Sequence, residues 1–278
     1  MELETDIANP FNLSTSELAQ RFLIAAVSGA SKIQIYRHFT EVYKLSEKEI
    51  EQLVRLCSFK SKPKHIDYNY FYNLKDNLPK EAEQIRYPFT QMYVLDDFLS
   101  KDICNDLINV VSDKFRPSSV SNSDDVEMVT SYRTSKTADL HPLDAPFAAA
   151  LDAKFCDVLK LDNMLGETIQ CQQYEIGQYY KVHCDFYDLF TKEHKVYTEW
   201  MGQRTWTILC YLNDVKEGGE THFPKLKLKI KPKAGRIVIW NNLYRNGFTN
   251  YRTKHEALPP TSGKKYVLTK WFRSWSMI

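Results

Sequence analysis

The sequence has no long hydrophobic run, no closely spaced cysteine pair and almost no net charge, and each absence removes a class of protein. The longest early apolar run, Phe22 to Val27, falls far short of the roughly 20 residues that cross a bilayer, so no membrane association is expected. The six cysteines, Cys57, Cys104, Cys156, Cys171, Cys184 and Cys210, form no CxxC pair. A structural zinc site needs clustered ligands and a disulfide framework belongs to short secreted chains, so the thiols read as reduced. The stretch Met1-Glu2-Leu3-Glu4-Thr5-Asp6 is acidic where a secretory signal is basic and then apolar, which points to a cytoplasmic location. With 37 Lys and Arg against 35 Asp and Glu, the net charge of +2 provides no global basic field, and nucleic acid is not an expected partner. The alternating lysines from Lys225 to Lys231 read as an edge strand that blocks edge-to-edge pairing.

At 278 residues, 43% of them hydrophobic, the chain is long enough for one large domain with an appendage. Residues 1–60 read as a helical module. Ser14-Thr15-Ser16-Glu17 and Ser46-Glu47-Lys48-Glu49 have the form of capping boxes, in which serine and glutamate satisfy each other's free backbone N–H groups. Apolar residues follow at helical spacing: Leu18, Phe22, Ala25 and Ala26, closed by Gly29; then Ile35, Phe39 and Val42; then Ile50, Leu53, Val54 and Cys57. Residues 61–90 look like a linker whose aromatics, Tyr68, Tyr70, Phe71 and Tyr72, cover apolar surface.

Residues 91–278 read as the main domain. Met92 to Leu95 suits a strand, Ser100 suits the cap of a helix with Ile103, Leu107, Val110 and Val111 inward, and Ser118 to Asp125 suits a mobile loop. A helix starts near Pro146 with Leu151, Phe155, Val158 and Leu159 inward. Beyond residue 168 come short strands: Ile169–Tyr174, Tyr180–Phe186, Thr205–Leu212, Thr221–Phe223, Leu226–Ile230, Arg236–Trp240 and Lys265–Trp271, with Pro259-Pro260 among the breaks. This pattern gives an α+β fold whose core is a jelly roll with flanking helices.

On a strand, residues two apart share a face, so His183 and Asp185 present an imidazole and a carboxylate side by side. A second histidine from another strand would complete a two-histidine, one-carboxylate set of the kind that binds Fe(II) in oxygenases. His65, His141, His194 and His222 compete with His255 for that place. His255 stands out because Lys265, ten residues on, heads a strand whose alternate members Lys265, Val267, Thr269 and Trp271 share one face. A lysine pointing into a barrel is costly unless it meets an anion.

These pieces occur in order with Gly202-Gln203-Arg204, Gly218-Gly219-Glu220-Thr221-His222-Phe223-Pro224, Lys233-Ala234-Gly235-Arg236 and the segment Arg133-Thr134-Ser135. Together they make the region from Gln91 to Ile278 resemble the prolyl 4-hydroxylase family of Fe(II) and 2-oxoglutarate dioxygenases, which has a double-stranded β-helix core. The resemblance implies that His183, Asp185 and His255 ligate iron. It implies that Lys265 pairs with the distal carboxylate of the cosubstrate 2-oxoglutarate, assisted by hydrogen bonds from Tyr174 and Thr221. Tyr180, Arg204 and Trp271 would line the substrate side, and Tyr187 to Met201 would form a lid. Val182 and Cys184 stand where many relatives carry proline and an aromatic, which leaves substrate fit open; Cys184 is expected to face away from the two ligands beside it.

The implied reaction is hydroxylation of an unactivated C–H, with a prolyl residue of a protein or peptide as the main reading and ascorbate as the reductant. Two alternatives stand beside it: a hydroxylase of a free amino acid or other small molecule, and a jelly-roll binding module without catalysis.

Overall fold

The computed structural model describes residues 7–27, 32–57, 60, 63–118, 131–141, 146–199 and 201–276. Three helices come first: α1 (Thr15–Val27), α2 (Lys32–Glu41) and α3 (Glu47–Leu56). Both capping boxes form. The Ser14 N–H donates to Glu17 over 2.8 Å, and the Ser46 N–H donates to Glu49 over 2.7 Å. The helices bury Leu18, Phe22, Ile35, Phe39, Ile50 and Leu53 together, and Met201 and Trp275 from the C-terminal half enter the same core. Val42, expected on the stripe of α2, lies beyond its end and is exposed. Gly29 is outside the described residues.

The connecting segment packs down. Asp67 caps α4 (Tyr68–Asn73), whose Phe71 is buried and accepts a 2.8 Å hydrogen bond from the Trp206 indole N–H at its carbonyl. Strands β1 (Glu83–Gln84) and β2 (Met92–Leu95) follow, then α5 (Lys101–Val111), capped by Ser100 as its sequence suggests. The buried face of α5 is Cys104, Leu107 and Val111, whereas Ile103 and Val110 face outward. The two stripes share Leu107 and Val111 and differ by a small rotation, which the sheet beneath decides. Then come β3 (Arg116–Pro117), β4 (Lys136–Leu140) and α6 (Pro146–Leu159), with Leu151, Phe155, Val158 and Leu159 inward. Of the loop expected at Ser118 to Asp125, only Ser118 is among the described residues.

The remaining elements are β5 (Ile169–Tyr174), β6 (Tyr180–His183), α7 (Lys192–Tyr197), β7 (Arg204–Tyr211), β8 (Glu217–Gly218), β9 (Thr221–Phe223), β10 (Leu228–Ile230), β11 (Ile237–Asn241), β12 (His255–Ala257), β13 (Pro260–Ser262) and β14 (Lys265–Arg273). They build an eight-stranded sheet, β1-β2-β11-β7-β14-β5-β4-β3, a four-stranded sheet, β10-β9-β12-β6, and a β13-β8 ribbon, with antiparallel pairing. Side-chain alternation divides the large sheet. Ile208, Cys210, Ile237, Ile239, Leu268 and Phe272 pack under α5 and α6. On its other face Tyr174, Leu209, Tyr211, Val238, Trp240 and Val267 meet Phe223, Leu226 and Ile230 of the smaller-sheet side. That second interface is the jelly-roll interior, and it holds the polar residues of interest.

Several boundaries differ from the sequence reading. Strand β6 stops at His183, two residues before Asp185. Strand β10 starts at Leu228 because Pro224–Leu226 forms a 3-10 turn and Lys227 adopts a left-handed φ of 49°. Lys225, Lys227 and Lys229 are exposed and β10 is an edge strand, as the lysine spacing suggests. Pro260 begins a strand where a break is expected; it sits at the first position of a short ribbon, where a proline is tolerated. Strands β4 and β12 have too few residues with alternating polarity to show in the sequence.

Candidate metal centre

The smaller sheet brings the two histidines together. In the β6–β12 pairing His255 lies opposite His183, and their ring centroids are 4.3 Å apart. Asp185 follows β6 and turns inward to 4% exposure. Its Oδ1 lies 3.9 Å from His183 Nε2 and 3.8 Å from His255 Nε2. Among the described residues this trio is the one cluster of three or more His, Cys, Asp or Glu that could hold a metal ion. Cys184 stays out of it. Of the competing histidines, His222 pairs instead with Glu256 at 2.7 Å.

The donor chemistry fits a single cation. His183 Nδ1 lies 2.8 Å from the Lys181 carbonyl and His255 Nδ1 lies 2.9 Å from the Thr253 carbonyl. A carbonyl only accepts, so each Nδ1 carries a proton, and it is Nε2 that would offer a lone pair to a metal when the ring is neutral. Burial first, and then the neighbouring His255, holds His183 well below the usual imidazole range, which keeps it neutral and ready to ligate. Two atoms each about 2.1 Å from one ion are at most about 4.2 Å apart, and the separations of 3.8 and 3.9 Å fall inside that limit. A two-histidine, one-carboxylate set leaves positions for further ligands.

A narrow cavity runs from this cluster to Lys265, passing Tyr174, Thr221 and Trp271. Lys265 is 1% exposed, and its ammonium donates to the Gly219 carbonyl over 2.9 Å and sits 4.5 Å from the centre of the Tyr174 ring. Burial lowers its pKa from 10.5 to about 7, with Glu220 opposing the fall. An ammonium has three donors, so a carboxylate entering the cavity would find a charge partner with donor capacity to spare. The Tyr174 hydroxyl donates to Gln172 Oε1 at 2.7 Å, and Thr221 Oγ1 accepts from the Tyr211 hydroxyl at 2.6 Å.

Tyr180 also lines the cavity; its ring stacks on His183 at 3.6 Å and carries the Arg133 guanidinium on its other side at 4.8 Å. Arg204 is placed differently. Its guanidinium grips Glu167 through two 2.6 Å hydrogen bonds, donates to the Asp185 carbonyl at 3.3 Å, and lies 4.1 Å from the Trp271 ring. It therefore stands behind the cavity wall, and neither Glu167 nor this ion pair is visible in the local sequence. The proposed lid holds helix α7, anchored where Gln203 bonds both the N–H and the carbonyl of Tyr187. A broader surface depression lies between α2 and α3, walled by Lys32, Arg37, Glu47 and Glu51, whose charges offset one another.

The model of the 2OG-Fe(II) oxygenase superfamily matches residues 169–273, the span from β5 through β14 that holds all of these groups. Residues 169–273 thus carry a match to the 2OG-Fe(II) oxygenase superfamily, and the chain is similar to the prolyl 4-hydroxylases within it. It is similar to prolyl 4-hydroxylase subunit alpha-2 of Gallus gallus, 37% identical over 148 residues, covering 52% of this chain and 26% of the relative. It is likewise similar to prolyl 4-hydroxylase subunit alpha-1 of Homo sapiens, 35% identical over 178 residues, covering 61% of this chain and 33% of the relative. The chain thus spans a third or less of the length of these curated relatives. A solved viral collagen prolyl hydroxylase from Paramecium Bursaria Chlorella virus-1, in complex with 2OG, superposes with a TM-score of 0.52 at 28% identity, covering 66% of this chain and 95% of that one. Among the described residues no helix is long and apolar enough to cross a membrane.

Proposed function

We propose that this protein hydroxylates a prolyl residue of a protein or peptide, using Fe(II) and 2-oxoglutarate. The observation that carries the reading is the joining of His183, Asp185 and His255 to a buried Lys265 by one cavity. The printed names of the relatives, prolyl 4-hydroxylases and a collagen prolyl hydroxylase, support proline as the target. Iron with bound 2-oxoglutarate would supply an oxidation by dioxygen, in which one oxygen atom enters a C–H bond of the substrate and the other enters the cosubstrate as it becomes succinate and carbon dioxide.

The chain's own residues do the rest. His183, Asp185 and His255 would hold the iron, and Lys265 would bind the distal carboxylate, with Thr221 as a hydrogen-bond partner and Tyr174 as a second once its hydroxyl turns away from Gln172. Tyr180 and Trp271 form apolar walls beside the metal, suited to a pyrrolidine ring. Arg204 supports Trp271 from behind, a positioning role in place of a direct substrate contact. The stretch 187–201 would act as a lid that excludes water. In domain terms we assign these roles to residues 91–278, with residues 1–60 as an accessory helical module and residues 61–90 as the connection.

The test is mass spectrometry of a panel of proline-containing peptides incubated with the protein, Fe(II), 2-oxoglutarate and ascorbate. A gain of one oxygen localised to proline supports the proposal. Modification of free amino acids but of no peptide would move the reading to a small-molecule hydroxylase. Absence of any product from metal-loaded, folded protein would move it to a binding module.

A further inference from the structure

The two carboxylate oxygens of Asp185 have different surroundings. Oδ1 faces the imidazoles of His183 and His255, at 3.9 and 3.8 Å. Oδ2 lies 2.7 Å from Thr207 Oγ1, on the large sheet across the jelly-roll interior. Thr207 in turn has Asn242 Nδ2 at 2.8 Å, and Asn242 Oδ1 has Trp240 Nε1 at 3.0 Å. Thr207, Asn242 and Trp240 are each 0% exposed.

Donor chemistry fixes the direction of this chain. An indole N–H only donates, so the oxygen of the Asn242 amide must face Trp240 and its NH2 must face Thr207. The Thr207 hydroxyl then accepts from Asn242 and has its single proton left for Asp185 Oδ2. The backbone holds Asn242 in place: its N–H donates to the Thr205 carbonyl at 2.7 Å, and its carbonyl accepts from the Asn250 N–H at 2.8 Å. The Trp240 ring that starts the relay also packs edge-on against His255 at 5.0 Å. One indole therefore constrains two members of the cluster.

We infer that Thr207, oriented by Asn242 and Trp240, is a positioning residue that makes Asp185 a one-oxygen ligand. The inference rests on the metal-site reading above. A hydrogen bond to Oδ2 fixes the rotation of the carboxylate and occupies the oxygen that would otherwise swing toward a cation, so Oδ1 alone is offered to the metal. Outer partners of this kind orient ligands and tune the ion they hold.

The test uses Co2+ as the probe, without cosubstrate, on the full chain. Affinity is read by competition with a chromophoric chelator, and the ligand field is read from the visible absorption of the bound cobalt. Thr207→Val keeps the shape of the side chain and removes the donor; it should bind Co2+ about 10- to 100-fold more weakly and shift the cobalt spectrum. Thr207→Ser keeps the hydroxyl and should restore both affinity and spectrum, which a merely structural role of the methyl group would not. If Thr207→Val does not fold, Asn242→Asp approaches from the other end: an acceptor at 242 draws the Thr207 proton away from Asp185, and the same weakening is expected. Wild-type affinity and an unchanged spectrum in the folded variant that is measured would overturn the inference. A wild-type protein that takes up no Co2+ and no Fe2+ would overturn the metal-site reading itself, and the positioning role with it.

Discussion

Lys265→Met separates the stability of the fold from the binding of an anion. Lys265 is buried, and its pKa falls from 10.5 to about 7 because burial disfavours the charge. In the unfolded chain the amine is protonated up to about pH 10.4. Between the two values the unfolded state binds more protons, so stability rises with pH through that window, and the penalty is largest and constant below about pH 7. The span corresponds to a penalty of up to about 5 kcal/mol at low pH, falling to about 2 kcal/mol at pH 9. Methionine has similar length and no charge, so it removes the whole titration while losing the hydrogen bond to the Gly219 carbonyl, which costs roughly 1–3 kcal/mol. In the ligand-free protein the variant should therefore be more stable than wild type at pH 6.5, and its advantage should shrink by roughly 2–3 kcal/mol by pH 9. Urea unfolding at the two pH values reads this directly. The same variant should lose the stabilisation that 2-oxoglutarate gives the wild type, which reaches about 2.7 kcal/mol at a concentration of 100 Kd. A stability difference independent of pH, or a variant that 2-oxoglutarate stabilises as much as wild type, would refute the reasoning.

Further outcomes follow from single contacts. Asp185→Ala removes the carboxylate between the two imidazoles and should weaken Co2+ or Fe2+ binding by more than the roughly 100-fold that a lost outer partner can cost; a chelator competition reads it. Gly235 has a φ of +78°, and a Cβ there would lie 2.0 Å from the Leu99 carbonyl oxygen. Gly235→Ala should cost at least about 2 kcal/mol in urea unfolding, through both strain and the displaced turn. Phe39, 1% exposed in the core of the N-terminal helices, should cost about 3–5 kcal/mol when truncated to alanine; an unchanged melting curve would mean that these helices do not share the cooperative unit of the jelly roll.

The parts of the site that were legible in the sequence depend on short-range periodicity. The inward face of Lys265, Val267, Thr269 and Trp271 follows from strand alternation alone, whereas Asp185, two residues beyond His183, reaches it because the chain turns inward after β6 and not because the two share a strand face. Both capping boxes form because their hydrogen bonds close within four residues. His255 was distinguishable only through Lys265; the fact that places it, its pairing opposite His183 across two strands, is a non-local event that no local pattern records. Arg204 shows the opposite limit. Its partner Glu167 lies 37 positions away, so no local pattern shows that an ion pair holds the guanidinium against the Trp271 ring. Thr207 and Asn242 were missed altogether. A signal existed, since Thr205 and Thr207 put hydroxyls on the inner face of a strand that is otherwise apolar, and a buried hydroxyl needs a partner. The stripe of α5 was misassigned because adjacent apolar residues leave the rotation of a helix undetermined until the surface it covers is known.

The most direct measurement is dioxygen-dependent succinate production from 2-oxoglutarate by Fe(II)-loaded protein, with and without a proline-containing peptide. The wild type should form succinate, faster when a peptide that becomes hydroxylated is present, and Asp185→Ala should form none above background. Folded wild-type protein that binds Fe(II) and 2-oxoglutarate yet forms no succinate with any peptide of the panel would contradict the account.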